Sequence, residues 1–511
     1  MDAMEDLKKS YSRLLERAKD LLVLQSAGMI LHWDMETKMP PKGVELRSQQ
    51  LALLQRIAHQ MLTSPETDKA IKEVEKHPGF EGLREVERRN VYLARKAYEE
   101  ATRLPEDLVV EIARQSAVGV NVWKRAKAKS DWSLFEPELE KIKALMERKG
   151  ELLMEVKGTG DVYDALIDDY EPRMRADQIA RVFEGMRRGR QRVMDWVLSQ
   201  GQPDVGFLST PVPVEIQERI GEKLAEFMLY DVKSEEAGGR IDTTEHPFTV
   251  GYYTDVRITT KYHEDRVLSS IYSILHEGGH ALYEQGLPLE WMYQPVGSSA
   301  SYGIHESMSR FVENLVGKSP EFWEFFLPVF QGLTGDRFKD VDVGLMARAA
   351  NLVTPSKIRI EADEVTYGLH IVIRFEIERA LFSGGVEVGE LPQVWNDKYE
   401  EYLGVEVEND AEGVLQDTHW SGGSFGYFPS YALGNIYDGM WLEKLNRDLP
   451  GWRGEVAQGV FQPVKEWLTD NVYRYGNLYD PEDLVRRVTG KGLEVAPFIN
   501  YLEEKFNRLY S

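Results

Sequence analysis

Through the first two hundred residues, apolar positions recur every three or four places and polar ones fill the gaps. That spacing predicts amphipathic helices in VELRSQQLALLQRIAHQML (44–62), LREVERRNVYLARKAYEEATRL (83–104), PEDLVVEIARQSAVGVNVWKRAKA (105–128) and LFEPELEKIKALMERKGELLMEVKG (134–158). Pro105 and Pro137 fall near predicted starts, where a missing N–H costs nothing. The stretch AGMILHWDMETKMPPKG (27–43) breaks the pattern and is expected to be a packed, non-helical link. From 241 to 262 the period drops to two. In HPFTVGYYTDVRITTKY (246–262), Asp255, Arg257 and Thr259 alternate with Val256 and Ile258, which predicts a strand with its polar side chains on one face. Such a strand in a helical protein is expected to form the wall of a cleft. Helical spacing then returns, apart from HWSGGSFGYFPSYALGN (419–435), which reads as a loop. With no repeat, low-complexity tract or Ser/Gly linker, residues 1–511 are expected to form one mainly α domain.

Composition narrows the function. The chain has 511 residues, 42% hydrophobic and 29% charged, which is ample material for a globular core. No apolar run is long enough to span a membrane. The charged, amphipathic N-terminus lacks a signal-peptide core, so a cytoplasmic protein is expected. A net charge of −23 argues against nucleic acid and anionic membranes as partners. There is no cysteine, which excludes disulfides, thiolate nucleophiles and cysteine-ligated metals. Any metal must be held by His, Asp or Glu.

SSIYSILHEGGHALYEQ (269–285) holds such residues in a helical pattern. His276 and His280 lie about 40° apart around a helix and one turn apart along it, so both imidazoles can grip one metal. Glu277 lies about 80° to the side, within reach of a water beside that metal. Ile271, Ile274, Leu275, Ala281 and Leu282 form the opposite, buried stripe, while Tyr272, Ser273, Tyr283 and Glu284 lie on the metal side. The adjacent glycines divide on the same wheel. Gly278 falls in the buried stripe and is expected to admit a close neighbour. Gly279 is expected to keep one flank of the metal clear for substrate or a strand.

A third ligand is sought in SYGIHESMSRFVENLVG (301–317). Glu306 shares a polar face with Ser309, Arg310, Glu313 and Asn314, opposite Met308, Phe311, Val312 and Leu315. His305 is the rival ligand but points about 100° away. A further helix is expected across KIRIEADEVTYGLHIVIRFEIERALF (357–382), with Arg359, Asp363, Thr366, Tyr367, His370 and Arg374 along one polar stripe.

Together these segments resemble the M32-type (Taq/Pfu-type) zinc carboxypeptidases along the whole chain. The resemblance rests on HPF at 246–248, DVRIT at 255–259, HEGGH at 276–280, HES at 305–307, IRIEAD at 358–363 and GVLQDTHW at 413–420, with WDMETKMP at 33–40. It implies a large helical cleft of the ACE- and neurolysin-like gluzincin type with a small β element near the active site. It also implies a homodimer, zinc as the metal with cobalt serving in some members, His276, His280 and Glu306 as ligands, and Glu277 as the catalytic glutamate. Arg310 stands four residues after Glu306, so the aspartate that supports thermolysin-like sites is absent.

The expected activity is removal of C-terminal residues from peptides that end in a free carboxylate. Glu277 would take a proton from water and pass it to the leaving amine. Relatives of this fold use a Tyr and a His to stabilise the oxyanion; His419 with Tyr427 or Tyr431 are the matches here. A bidentate Arg suits the substrate carboxylate. Arg359 is the first choice and Arg257 the second, although Asp255 could instead hold Arg257 in a structural pair. His246 is a candidate substrate-side donor. An endo-acting oligopeptidase on the same scaffold is the nearest alternative, and a non-catalytic helical scaffold the more distant one.

Overall fold

The expected helices form within a residue or two of their predicted ends. They run Val44–Leu62, Glu85–Arg103, Glu106–Lys129 and Glu136–Lys157 in the computed structural model, which describes residues 3–510. Pro105 caps the third of these and Pro137 sits in the first turn of the fourth. Among the described residues there are twenty α-helices and one three-stranded sheet. None of these helices is long and apolar enough to cross a membrane.

Three stretches differ from the sequence expectation. The first helix runs unbroken from Ala3 to Thr37, so Trp33 and Asp34 lie inside it rather than in a link. Nothing in 27–37 breaks a helix; the stop comes at Pro40–Pro41. Trp33 disturbs the amphipathic pattern because it is buried against the sheet, with the guanidinium groups of Arg240 and Arg257 at 4.7 and 4.3 Å from its ring. The second difference is at IRIEAD, which is not helical beyond a short turn at Arg359–Glu361; the helix begins at Tyr367. Asp363 accepts from the backbone N–H groups of Val365 and Thr366 at 2.8 and 3.0 Å, a local bond that competes with helix. The helix Tyr367–Phe382 is buried nearly all round, so its polar residues are not a solvated stripe. Third, the aromatic stretch 419–435 is only half loop. A helix starts at Phe428, with Pro429 in its first turn, and runs to Asp448.

The sheet holds β1 (Gly239–Thr243), β2 (Thr249–Tyr252) and β3 (Asp255–Thr260). Their order is β1-β3-β2, with β1 parallel and β2 antiparallel to β3. β2 is therefore an edge strand. The shared polar face of β3 is split in use. Asp255 is exposed, whereas Thr259 is fully buried and its hydroxyl accepts from the Phe248 N–H at 2.8 Å.

The HExxH helix, Val267–Gly286, buries the predicted stripe of Ile271, Ile274, Leu275, Ala281 and Leu282 completely or to within one per cent. Each of its Ile and Leu side chains contributes about 1.5–3 kcal/mol by leaving water. The buried apolar residues form one large cluster running from Ala126 to Leu509 and a small second one, Leu7 to Val91, inside the N-terminal helices.

Gly278 is buried beside a close neighbour as expected, but Gly279 is not on an open flank. A Cβ on Gly278 would meet only the end of the Met228 side chain, at 2.4 Å from Cε. A Cβ on Gly279 would meet backbone of the next helix, 2.5 Å from the Met308 carbonyl oxygen and 2.7 Å from Ser309 Cα. Gly279 thus clears no path for substrate. It allows the HExxH helix and the helix Tyr302–Arg310, which carries Glu306, to touch backbone to backbone. Met228 can swing its flexible thioether end aside; a carbonyl cannot. Gly278→Ala is therefore expected to stay within about 1 kcal/mol of the parent, while Gly279→Ala costs about 1–3 kcal/mol and weakens metal retention. Melting temperature and metal content of both variants check this, and equal effects would refute the backbone argument.

Candidate metal centre

The contact at Gly279 brings Glu306 in front of the histidine pair. Glu306 Oε2 lies 3.7 Å from His276 Nε2 and 3.5 Å from His280 Nε2, and the two imidazole rings are nearly perpendicular with centroids 5.0 Å apart. The three donor atoms lie within 4.8 Å of one another, a set that can hold one metal ion.

The outer nitrogens show that the donors are aimed. His276 Nδ1 is 2.9 Å from Glu313 Oε2, which makes Nδ1 the donor and, in the neutral ring, leaves the lone pair on Nε2; burial lowers this imidazole, but Glu306 and Glu313 outweigh it and raise it above its ordinary value. His280 Nδ1 bonds His305 Nδ1, and His305 Nε2 lies 2.8 Å from Glu284 Oε1. A carboxylate can only accept here, so the protons are ordered. His305 Nε2 donates to Glu284, His305 Nδ1 accepts from His280 Nδ1, and His280 Nε2 again faces the common point unprotonated. Metal-binding imidazoles are held in this way. His305, the rival ligand, instead supports His280. The donor set of two imidazoles and one carboxylate fits a divalent metal of borderline softness.

Charge reinforces the geometry. Burial drives His280 down to about 3, so it is neutral and ready to ligate. Burial alone would raise Glu306, but Arg310 and the two imidazoles outweigh it and hold the carboxyl well below the usual range. Arg310 Nε sits 2.8 Å from Glu306 Oε1 and its Nη1 3.3 Å from Glu313 Oε2, with its guanidinium 4.4 Å from the Tyr367 ring. Lys318 closes the chain at 3.0 Å from Glu313 Oε1. Four alternating charges, Glu306, Arg310, Glu313 and Lys318, thus lock the ligand helix. A short π-helical stretch, Phe311–Gly317, places Glu313, and Lys318 follows at its end.

Glu277 is 7% exposed and burial raises its carboxyl above the usual range. Thr249 Oγ1 lies 2.7 Å from Glu277 Oε2. No described group donates to the other oxygen, and Glu277 lines the same cleft of about 590 Å³ as the three donors. Phe248 and Thr249 to Gly251 of edge strand β2 form one wall, and Tyr302, Tyr427 and Tyr431 form another.

The remaining sequence candidates divide. Tyr427 and Tyr431 both reach the cleft, with rings 4.9 Å apart. His419 does not line it, but its Nε2 lies 3.2 Å from the Tyr431 hydroxyl, and burial drops it to about 4. Arg359 is buried behind Tyr431, with its guanidinium 5.3 Å from that ring. Its Nε and Nη2 are 3.1 and 2.8 Å from Asp417 Oδ1, and Arg374 binds the other oxygen of Asp417 at 2.6 Å. Arg257 is not at the cleft. Asp255 holds it at 2.7 and 2.8 Å and Trp33 covers it, so the structural pair is what forms. His246 is exposed in the bend before β2 and only its neighbours Pro247 and Phe248 line the cleft. Asp417 and Thr249 were not singled out from sequence, though each sits in or beside a quoted motif. Glu284 carried a signal, being one turn after His280 on the metal side.

A helical cleft with two imidazoles and a carboxylate converging beside a second, raised carboxylate defines a metal-dependent hydrolase. The family model described as Carboxypeptidase Taq (M32) metallopeptidase matches residues 13–506, and the chain belongs to that family. It is a metallocarboxypeptidase, a peptide hydrolase that needs a divalent metal. Thermostable carboxypeptidase 1 of Thermus thermophilus is 41% identical over 98% of this chain and 99% of its own length. Carboxypeptidase 1 of Bacillus subtilis is 37% identical, with 98% of each chain covered. Among solved structures, the M32 carboxypeptidase of Deinococcus radiodurans R1 superposes with a TM-score of 0.94 at 33% identity, over 98% of this chain and 99% of that one.

Glu313→Gln removes the charge that holds His276 Nδ1–H while keeping the volume. Metal affinity, read by competition with a chelator, is expected to fall about 10–100-fold. An unchanged affinity would show that packing alone orients His276.

Proposed function

We propose that this chain removes C-terminal residues from peptides by metal-assisted hydrolysis, with Glu277 as general base. The observation that carries the reading is the convergence of His276, His280 and Glu306 within 4.8 Å in a cleft that also holds the Glu277 carboxylate. His276, His280 and Glu306 would hold the metal, which supplies Lewis-acid polarisation and acidifies water. Two imidazoles and one carboxylate suit zinc, and cobalt accepts the same ligands.

Glu277 is built to accept a proton. Burial raises its carboxyl above the usual range, which suits taking a proton from an activated water and passing it to the leaving amine. Tyr431 is the oxyanion-side donor in this reading. Tyr431 lines the cleft, and His419 Nε2 meets its hydroxyl at 3.2 Å and orients it. Tyr427 belongs with Tyr170 and Tyr302 in the aromatic wall, its ring 4.8 and 5.5 Å from theirs.

Recognition of the substrate carboxylate falls to Arg359. The cleft lining contains no Lys or Arg among the described residues. Asp417 is shared by two guanidinium groups, so the group behind Tyr431 keeps one net positive charge. That charge attracts a terminal carboxylate once the Tyr431 ring shifts. His246 stays a rim residue available to a bound peptide. We further propose that residues 1–511 work as one cytoplasmic unit, paired as a homodimer. The N-terminal helices are tied to the body by Arg89–Asp480 at 2.7 Å and Lys96–Asp168 at 2.8 Å.

Two measurements test this reading. Glu277→Gln should bind metal as the parent does while kcat falls about 10²–10⁴-fold; full activity in the variant would remove the base assignment. A C-terminally amidated peptide should be cut far more slowly than the matching free acid, and Arg359→Met should erase most of that difference. Equal rates on both peptides with the parent enzyme would favour the endo-acting oligopeptidase.

A further inference from the structure

Glu277 hangs from the cleft side of its helix on a flexible side chain, and its position depends on one neighbour. Thr249 opens β2, the edge strand. Its Oγ1 lies 2.7 Å from Glu277 Oε2 and 2.9 Å from the Glu277 carbonyl oxygen. Among the described residues no other group bonds the carboxylate.

Thr249 is itself held firmly. The preceding residue, Phe248, is clamped to β3 from both sides. Its N–H donates to Thr259 Oγ1 at 2.8 Å, and its carbonyl accepts from the Thr259 N–H at 3.0 Å. The Phe248 ring packs against His32 of the first helix with centroids 5.8 Å apart. β3 is in turn tied to the HExxH helix, since Thr260 Oγ1 donates to Ser273 Oγ at 3.2 Å. Ser273 and Glu277 are four residues apart, so they share one helix face. The sheet therefore meets that face through two hydroxyls one turn apart, Thr260 on Ser273 and Thr249 on Glu277. A β-branched side chain on a pinned strand has little freedom at χ1, so the hydroxyl stays where the backbone puts it.

We infer that Thr249 is a positioning residue for Glu277: the edge strand presents its hydroxyl to one carboxylate oxygen and so aims the other at the reacting water. The HPF segment then acts as the frame that fixes Thr249. This inference rests on Glu277 being the general base.

The test uses the full metal-loaded chain and an N-blocked dipeptide with a free C-terminus. Thr249→Val keeps the shape and removes the hydroxyl; Thr249→Ser keeps the hydroxyl. Thr249→Val is expected to lower kcat about 10–100-fold, as misplacing a reacting group does. KM, metal stoichiometry and melting temperature should be unchanged, and Thr249→Ser should recover most of the loss. The inference is overturned if Thr249→Val is fully active. It also fails if KM rises in step with the loss, which would make Thr249 a substrate contact. A drop in melting temperature that Thr249→Ser does not restore would make the role structural and sink it as well. Glu277→Gln, run in parallel, separates the two claims. An inactive Glu277→Gln beside a fully active Thr249→Val removes only the Thr249 inference; a fully active Glu277→Gln removes the base assignment and this inference together.

Discussion

Everything at the candidate metal centre depends on two helices touching backbone to backbone at Gly279. The HExxH helix contributes two imidazoles, but the third donor sits on another helix. With the Met308 carbonyl 2.5 Å from where a Cβ would stand, no side chain fits between them. The close approach leaves Glu306 Oε2 3.5 and 3.7 Å from the two imidazoles. A wider spacing would carry Glu306 beyond reach of a shared ion, because a tetrahedral metal needs its ligands at about 2 Å.

Burying several charges in one place is costly unless each is paired and hydrogen-bonded. Here the pairing runs outward in two chains. Glu306, Arg310, Glu313 and Lys318 alternate in sign along one helix and its π-helical extension. Glu284, His305 and His280 form the other, with proton order set by the terminal carboxylate. Both chains do two jobs. They lower the cost of the buried donors, and they turn each Nε2 toward the cleft. On the far side of the aromatic wall, Asp417 between Arg359 and Arg374 follows the same logic but keeps a net positive charge. The cleft is therefore carboxylate-rich at the candidate metal site and cationic behind Tyr431.

Much of this was legible in the sequence, and the failures have identifiable causes. Helices with a solvated face were found because a one-sided apolar stripe has a clear period; Val44–Leu62 matches to the residue. The helix Tyr367–Phe382 lacked that contrast, since it is buried nearly all round, and its start was misplaced by ten residues of capping and turn. Trp33 looked like a break because it faces the sheet instead of the helical core. The tyrosines of the GYFPSY stretch looked like loop because Gly and Pro cluster at a helix start as readily as in a turn.

What the sequence determined by itself was the chemistry within single elements: a histidine pair at i and i+4, a carboxylate beside it, and a glutamate on the polar face of a second helix. Those relations follow from 3.6 residues per turn and need no partner. What only the tertiary structure decided was every relation between elements. Gly279 turned out to face a helix backbone, Arg257 to be spent on Asp255 and Trp33, Arg359 to stand behind Tyr431, and Thr249 to meet Glu277 across from the sheet. Periodicity tells which way a side chain points. The distance at which a neighbour waits is set by how elements pack, and at this site that distance separates a ligand, a support and a bystander.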